Sequence, residues 1–108
     1  MDENVFQSRV EEAISDLEDA FERLAEERDI DVEVQGGVLT VTFEEGEPGK
    51  FIVSPNSSAK QIWVSARVSS FKFDPTDEGF VLAGTGEPLR EVMTRLVREQ
   101  LEDETAAL

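Results

Sequence analysis

The first 33 residues of this chain combine an apolar stripe with a strongly acidic surface. Apolar side chains recur in steps of three and four from Phe6 to Leu24, which is the spacing of an amphipathic helix. The same stretch holds 13 of the 25 acidic residues and only three Arg. We therefore predict a helix from about Asn4 to Arg28 that packs one side on the protein and presents carboxylates on the other.

The composition restricts what such an acidic surface can bind. The formal net charge is −15 and the isoelectric point is near 4.2, which disfavours nucleic acid and anionic membranes because like charges repel. Basic protein patches and metal cations are the natural complements. The chain contains neither Cys nor His, so a bound metal would have only oxygen ligands, which select hard cations.

The length and the hydropathy pattern indicate one small domain. A chain of 108 residues suits a single modest core. No apolar run approaches the roughly 18 residues of a membrane-spanning helix, and the acidic start is unlike a signal or transit peptide. We expect a cytoplasmic protein that binds neither nucleic acid nor membrane.

The middle of the chain alternates apolar and polar residues as half-buried strands do. This pattern covers residues 31–35, 38–44, 50–54, 61–67, 71–74 and 80–83. Gly36-Gly37 is typical of a two-residue hairpin, because both central residues of a type I′ turn need a positive φ. A second amphipathic helix follows Pro88, with an apolar stripe from Leu89 to Leu101. Residues 103–108 are expected to form a frayed tail.

The order of these elements defines the fold class. There is no βαβ alternation, so the sheet should be an antiparallel meander. Nearly every strand has one apolar face, so both helices must cover the same side of the sheet. We predict an α+β fold, a two-layer α/β sandwich in which the N- and C-terminal helices pack on one face of an antiparallel five- or six-stranded sheet. A single domain would span residues 1–108.

Trp63, the only tryptophan, is predicted to lie on the polar face of the fourth strand. Ile62 and Val64 share the apolar phase of that strand, so Trp63 shares the other phase with Gln61 and Arg67. A one-residue slip that buried Trp63 would expose both aliphatic neighbours. A large aromatic on a polar sheet face suggests a contact residue for another protein.

Several segments taken together resemble the frataxin family, in particular its bacterial, CyaY-type branch. They are the acidic first helix, DIDVEV at 29–34, GGVLTVTF at 36–43, KQIWVS at 60–65 and FKFD at 71–74. The resemblance covers nearly the whole chain, and the second helix is in register as well. Two features depart from it. Gln7 stands where bacterial members often carry His, and residues 54–58 replace an Asn/Arg-rich segment.

The resemblance implies an iron-binding protein of iron–sulfur cluster assembly. Such a protein would deliver iron to, or regulate, a complex of a cysteine desulfurase and its scaffold protein through an acidic ridge. It would be a monomer unless iron drives oligomerisation. The implied metal-binding residues are Glu11, Glu18, Asp19, Glu22, Asp29, Asp31 and Glu33. The implied partner-binding residues are Glu12, Glu18, Asp19, Glu22, Glu26, Gln61 and Trp63, and the strand phase adds Arg67.

The chemistry of these carboxylates favours weak iron binding. Carboxylates on a convex surface form no preformed cage, so we expect multi-site binding of Fe²⁺ or Fe³⁺ through oxygen ligands. Glu11, Glu18 and Glu22 share one helix flank and could approach a common point, although helix spacing favours two ligands per ion. There is no nucleophile–base pair, so we expect that the protein is not an enzyme. The resemblance leaves weak ferroxidase activity open.

Three other interpretations of the acidic surface stay open. The first is a helix face that is merely solvated, as most charge runs are. The second is an acidic decoy that mimics DNA and binds basic proteins, which explains the charge but not QIW at 61–63. The third is a halophilic adaptation, which fits the presence of only three Lys and is compatible with frataxin function.

Overall fold

The computed structural model describes residues 1–108 as a helix, six strands and a second helix. The elements are α1 (Glu3–Ala25), β1 (Ile30–Gln35), β2 (Val38–Phe43), β3 (Gly49–Asn56), β4 (Gln61–Ala66), β5 (Ser69–Thr76), β6 (Gly79–Leu82) and α2 (Leu89–Leu101). The strands form one antiparallel sheet in the order β1-β2-β3-β4-β5-β6. Both helices contribute to one core with the same face of the sheet. The predicted two-layer sandwich is confirmed, with six strands.

Helix α1 buries the stripe that its sequence predicts. The carboxylate of Asp2 caps the helix by accepting a hydrogen bond from the amide of Val5 at 2.9 Å, as an N-cap residue should. The helix ends at Ala25, three residues earlier than predicted. The amides of Glu27 and Arg28 donate to the carbonyl of Leu24, and this turn directs the chain into β1. The buried residues are Phe6, Val10, Ile14, Leu17, Ala20, Phe21 and Leu24.

The core lies between the helices and the inward residues of the strands. Alternation along β2 to β5 places one residue in two beneath the helices. We call the opposite side of the sheet, which neither helix covers, the open face. The fully buried side chains of the sheet include Leu39, Val41, Phe43, Phe51, Val53, Ile62 and Phe73. Neither helix has the length and apolar character needed to cross a membrane.

Strands β3 and β5 are longer than the predicted ranges 50–54 and 71–74, because each continues through a proline. Pro55 pairs with Ile62 of β4 but lies beyond the last residue of β3 that pairs with β2. Pro75 pairs with Phe80 of β6 and lies beyond the pairing of β5 with β4. A proline is tolerated at such places because only one neighbouring strand remains.

The C-terminal tail, expected to fray, instead folds back on the protein. Ala106 is buried and Leu108 packs against the core. The side chain of Arg98 donates from Nε to the carbonyl of Ala106 at 2.7 Å. Asp103 accepts a hydrogen bond from Arg28 at 2.8 Å. The expectation of fraying was wrong because these partners are distant in sequence, so the local polarity of the tail does not show them.

Candidate functional site

The two flanks of α1 face different parts of the fold. One flank carries Arg9 and Ala13, which line an open groove together with the turn between β5 and β6. At about 100° per residue, Glu11, Glu18 and Glu22 lie on the opposite flank. That flank therefore faces the β1 edge of the sheet, and α1 does contact β1.

The carboxylates of β1 lie on the open face. Ile30 and Val32 pack against the core, so the alternating Asp31 and Glu33 project to the other side of the strand. Both are exposed. The β1 edge therefore has helix carboxylates on one side and strand carboxylates on the other. We use the term acidic ridge for this surface, which consists of Glu11, Glu18, Glu22, Asp29, Asp31 and Glu33, together with the adjoining Asp19, which lies about 100° round α1 from Glu18 on the solvent side.

No ridge carboxylate forms an ion pair. The four salt bridges of the protein join Arg28 to Glu45 and Asp103, Lys60 to Glu3, and Arg95 to Glu87. None of these acidic residues belongs to the ridge. The negative charge of the ridge therefore remains uncompensated along one edge of the molecule, and charge of one sign on one surface attracts cations and basic proteins.

The ridge does not form a metal cage. No group of three or more Asp or Glu side chains lies close enough to hold a metal ion. This agrees with a helix spacing that favours two ligands per ion, and the metal-binding role of Glu11, Glu18 and Glu22 stays a prediction. The donor set consists of exposed oxygens on a convex surface, which suits a hard cation that keeps most of its water.

Two predicted partner-binding residues lie apart from the ridge. Glu12 lines the groove on the opposite flank of α1, together with Asp16 and the turn residues Asp77 and Glu78. Glu26 is the C-cap of α1 and is exposed. The helical period alone places both residues on the solvent side of α1. It does not show that Glu12 turns toward the β5–β6 end of the sheet.

Trp63 lies on the open face, as predicted, and its neighbours hold the indole in place. The side chain is 38% exposed. Its Nε1 donates to Oε1 of Gln61 at 2.9 Å, and Nε2 of Gln61 donates to Asp74 at 2.8 Å. From β5, the ammonium of Lys72 lies 4.9 Å from the ring centroid, within the range of a cation–π contact. The exposed indole is therefore held in one orientation.

An aliphatic neighbour of Trp63 was missed in the sequence. Ile52 is 37% exposed on the open face. It pairs with Ser65, two residues from Trp63, so the two side chains are diagonal neighbours within reach of each other. The alternation of buried Phe51 and Val53 around Ile52 was the signal that could have placed it there.

Arg67 does not share the face of Trp63, so that prediction was wrong. The strand ends at Ala66, and Arg67 adopts a positive φ of 59° in the turn that follows. Its Nη1 donates to Oε1 of Gln100 in α2 at 2.9 Å. The side chain therefore reaches toward the helical layer, because the turn interrupts the strand alternation on which the prediction rested.

An ion-pair cluster anchors the start of β1. Nε of Arg28 donates to both carboxylate oxygens of Glu45 at 2.9 and 3.0 Å, and its Nη1 donates to Asp103. The hydrogen bond from Arg28, helped by the amide of Asp29, lowers the pKa of Glu45. Hydrogen bonds from the hydroxyl and amide of Thr105, followed by Arg28, lower the pKa of Asp103. This cluster joins the end of α1 to the β2–β3 loop and the tail.

Comparison with known proteins identifies the family. Residues 1–103 match the family model described as a frataxin-like domain. The chain belongs to the frataxin family. The match covers both helices and all six strands, so the resemblance seen in the sequence is confirmed.

Curated relatives and a solved structure agree with this membership. The chain is similar to proteins named iron-sulfur cluster assembly protein CyaY from three bacteria. Identity is 33% to that of Azotobacter vinelandii, with 91% of each chain covered. It is 38% to that of Pseudomonas aeruginosa, covering 93% of this chain and 91% of the relative. It is 40% to that of Stutzerimonas stutzeri, covering 78% and 74%. The frataxin of Psychromonas ingrahamii has the same fold, with a TM-score of 0.84 at 18% identity, covering 99% of this chain and 97% of that one.

Proposed function

We propose that this frataxin-family protein acts in iron–sulfur cluster assembly by docking its acidic ridge on a basic patch of a cysteine desulfurase. The relatives carry iron–sulfur cluster assembly in their names. The observation that carries the proposal is the uncompensated charge of the ridge, since none of its carboxylates is ion-paired. Complementary fields of this kind accelerate encounter and weaken steeply with salt.

Iron enters this proposal as cargo held weakly at the ridge. With only exposed oxygen donors and no cluster of three carboxylates, an ion would bind through one or two carboxylates and keep several waters. Fe²⁺ or Fe³⁺ would then be displaced by other hard cations and by a docked basic partner. No catalytic role is proposed, because the proposal needs only binding.

The open face supplies the second contact, with the scaffold protein. Trp63 is held by Gln61 and Lys72, and Ile52 lies beside it. Preorganised aromatic side chains with an aliphatic neighbour are typical anchors of protein interfaces, because little side-chain entropy is lost when they are buried. The ridge follows the β1 edge, whereas this patch lies on β3 and β4 with β2 between them, so one protein could contact two partners at once.

The test is a pull-down of a desulfurase–scaffold pair at about 20 and about 300 mM KCl, where screening differs strongly. The variant Glu18→Lys, Asp19→Lys, Glu22→Lys should retain at least tenfold less desulfurase than the unchanged protein at low salt. Trp63→Ala should retain the desulfurase and weaken scaffold retention. High salt should reduce desulfurase binding by the unchanged protein.

A matched control separates the ridge from net charge. The variant Glu91→Lys, Glu99→Lys, Glu104→Lys makes the same change in charge at exposed positions on and after α2, so it should retain the desulfurase. Equal loss in both triple variants would show that only total charge matters and would favour an acidic decoy. Unchanged binding in the ridge variant would refute docking through the ridge.

A further inference from the structure

The two edges of the sheet differ in how they are protected. Strand β6 has only four residues, and the chain that follows covers part of its outer edge. The amide of Leu82 donates to the carbonyl of Glu87 at 2.8 Å, and Val81 forms a bridge with Pro88. Strand β1 has six residues and pairs only with β2. An uncovered strand edge of this length is a template for another strand.

The register shows which backbone groups of β1 point outward. The amide of Glu44 donates to the carbonyl of Asp29, so these two residues form a hydrogen-bonded pair just beyond the strand. In an antiparallel pair such residues alternate, so Asp31, Glu33 and Gln35 direct their backbone groups toward β2. The backbone groups of Val32 and Val34 then point away from the sheet.

These outward groups have no partner in the protein. None of the backbone hydrogen bonds outside the regular elements involves Val32 or Val34, and no side chain donates to them or accepts from them. The side chain of Val34 is also 37% exposed although it has the inward phase, so the helical layer does not reach the end of β1.

The carboxylates on either side of this edge determine which kind of strand could be added to β1. Glu18 and Glu22 lie on the flank of α1 that faces β1, and Asp31 and Glu33 lie on the open face. A strand added to β1 would direct alternate side chains toward these two rows. A second copy of this chain would bring one acidic ridge against another, which like-charge repulsion disfavours. A chain rich in Lys or Arg has the complementary charge.

We propose that the β1 edge binds an extended, basic segment of a partner protein as a seventh strand. The proposal rests on ridge docking as the proposed function and specifies the backbone geometry of that docking. The outward amides and carbonyls of Val32 and Val34 bond to the backbone of the added segment, as in strand addition generally. The cationic side chains of the segment meet the carboxylates of α1 and β1.

The probe is a nine-residue peptide of three Lys-Lys-Thr repeats, which presents Lys on both faces of an added strand. Its control has the same sequence with N-methyl groups on residues three to seven, which block backbone donation on both strand edges and leave the charge unchanged. At low salt the unmethylated peptide should bind at least tenfold tighter than the control. Amide hydrogen exchange should slow at Val32 and Val34 when the peptide binds.

A pair of protein variants tests the same edge by changing β1 instead of the peptide. Val34→Pro removes an amide that points away from β2, so the β1–β2 hydrogen bonds remain, whereas Val34→Ala keeps that amide and trims the side chain. Peptide affinity should fall at least fivefold in Val34→Pro relative to Val34→Ala. Thermal melting shows whether both variants fold, and exchange protection in the unaltered chain gives the same test without a variant.

The outcomes separate this inference from ridge docking. Equal binding of the two peptides would overturn strand addition while leaving charge-driven docking intact. Binding of neither peptide, or slowed exchange at residues outside β1 only, would also overturn strand addition. The desulfurase pull-down then decides the proposed function independently. Peptide-induced dimers of this chain would show that the edge takes a second copy, against the inference.

Discussion

Gln100 is the one buried polar residue of the protein, and it shows how a single side chain can connect a helix to two loops. Its Nε2 donates to the carbonyl of Glu47 at 2.7 Å, and its Oε1 accepts from Arg67. It therefore ties α2 to the β2–β3 loop and to the β4–β5 turn. A buried amide is stable only when it is satisfied in this way.

Gly49 leaves the space that Gln100 occupies. A Cβ added at Gly49 would lie 2.8 Å from Nε2 of Gln100, so Gly49→Ala should displace the amide from its partners. We expect a loss of about 1–3 kcal/mol in the free energy of unfolding, the usual cost of leaving a buried polar group unsatisfied. Denaturant unfolding followed by Trp63 fluorescence measures it.

The neighbouring Lys50 provides the control for that experiment. Lys50→Ala alters an exposed residue of the same strand and should change stability by less than about 0.5 kcal/mol. In a Gln100→Ala background the additional cost of Gly49→Ala should largely disappear, because the clash is gone. An undiminished cost in that background would show that Gly49 matters for another reason.

Among the elements, α1 and the tail are joined through Arg28 rather than through their own sequences. The guanidinium contacts Glu45 in the β2–β3 loop and Asp103 after α2. The same contacts place Asp29 and the start of β1. The position of the ridge relative to the sheet therefore depends on an ion-pair cluster that is not itself part of the ridge.

Arg28→Ala should destabilise the protein in a pH-dependent manner. The pKa values of Glu45 and Asp103 are lowered in the folded protein. The ionised carboxylates therefore stabilise the folded protein at pH values above their unfolded pKa values of roughly 4. This stabilisation is lost as the pH falls through their pKa values in the folded protein. The difference in Tm between the unchanged protein and Arg28→Ala should be greatest near pH 7 and should shrink below about pH 4.

Arg90→Ala is the matched control, because Arg90 is an exposed residue of α2 outside every ion pair. It should show little change in Tm and no such pH profile. A constant difference for Arg28→Ala across this pH range would mean that the aliphatic part of Arg28, and not its charge, stabilises the cluster.

Across the whole molecule, most of the negative charge is left uncompensated, and this includes all of the acidic ridge. The net charge is −15, and only four salt bridges are present. Mutual repulsion of this kind destabilises a compact state. The surface that suits a basic partner is therefore also a cost to folding when the protein is alone.

Salt should stabilise the isolated protein because it screens this repulsion. Tm should rise between about 10 and about 300 mM KCl, as the Debye length falls from about 30 Å to below 8 Å. The ridge variant Glu18→Lys, Asp19→Lys, Glu22→Lys should show a smaller rise than Glu91→Lys, Glu99→Lys, Glu104→Lys, although both have the same net charge.

The outcome distinguishes clustered from general acidity. Equal salt responses in the two variants would mean that the ridge is no more repulsive than the rest of the surface. A rise in Tm that continues far beyond physiological KCl would favour halophilic adaptation in addition to the docking role.

The sequence by itself determined the parts of the protein that follow a local period. The stripe of α1, the Gly36-Gly37 hairpin and the outward phase of Trp63 all follow from spacings of a few residues, which backbone geometry converts directly into faces. The sandwich followed from these faces, because apolar faces must be buried together.

Only the tertiary structure decided how those faces sit against one another. It turned the ridge flank of α1 toward β1, placed Glu12 in a groove, turned Arg67 to Gln100 and folded the tail onto the core. The ridge joins two elements, and the open β1 edge depends on what covers each side of the sheet. Such features arise from contacts between residues far apart in the chain, such as Arg28 with Asp103, and no local periodicity encodes them.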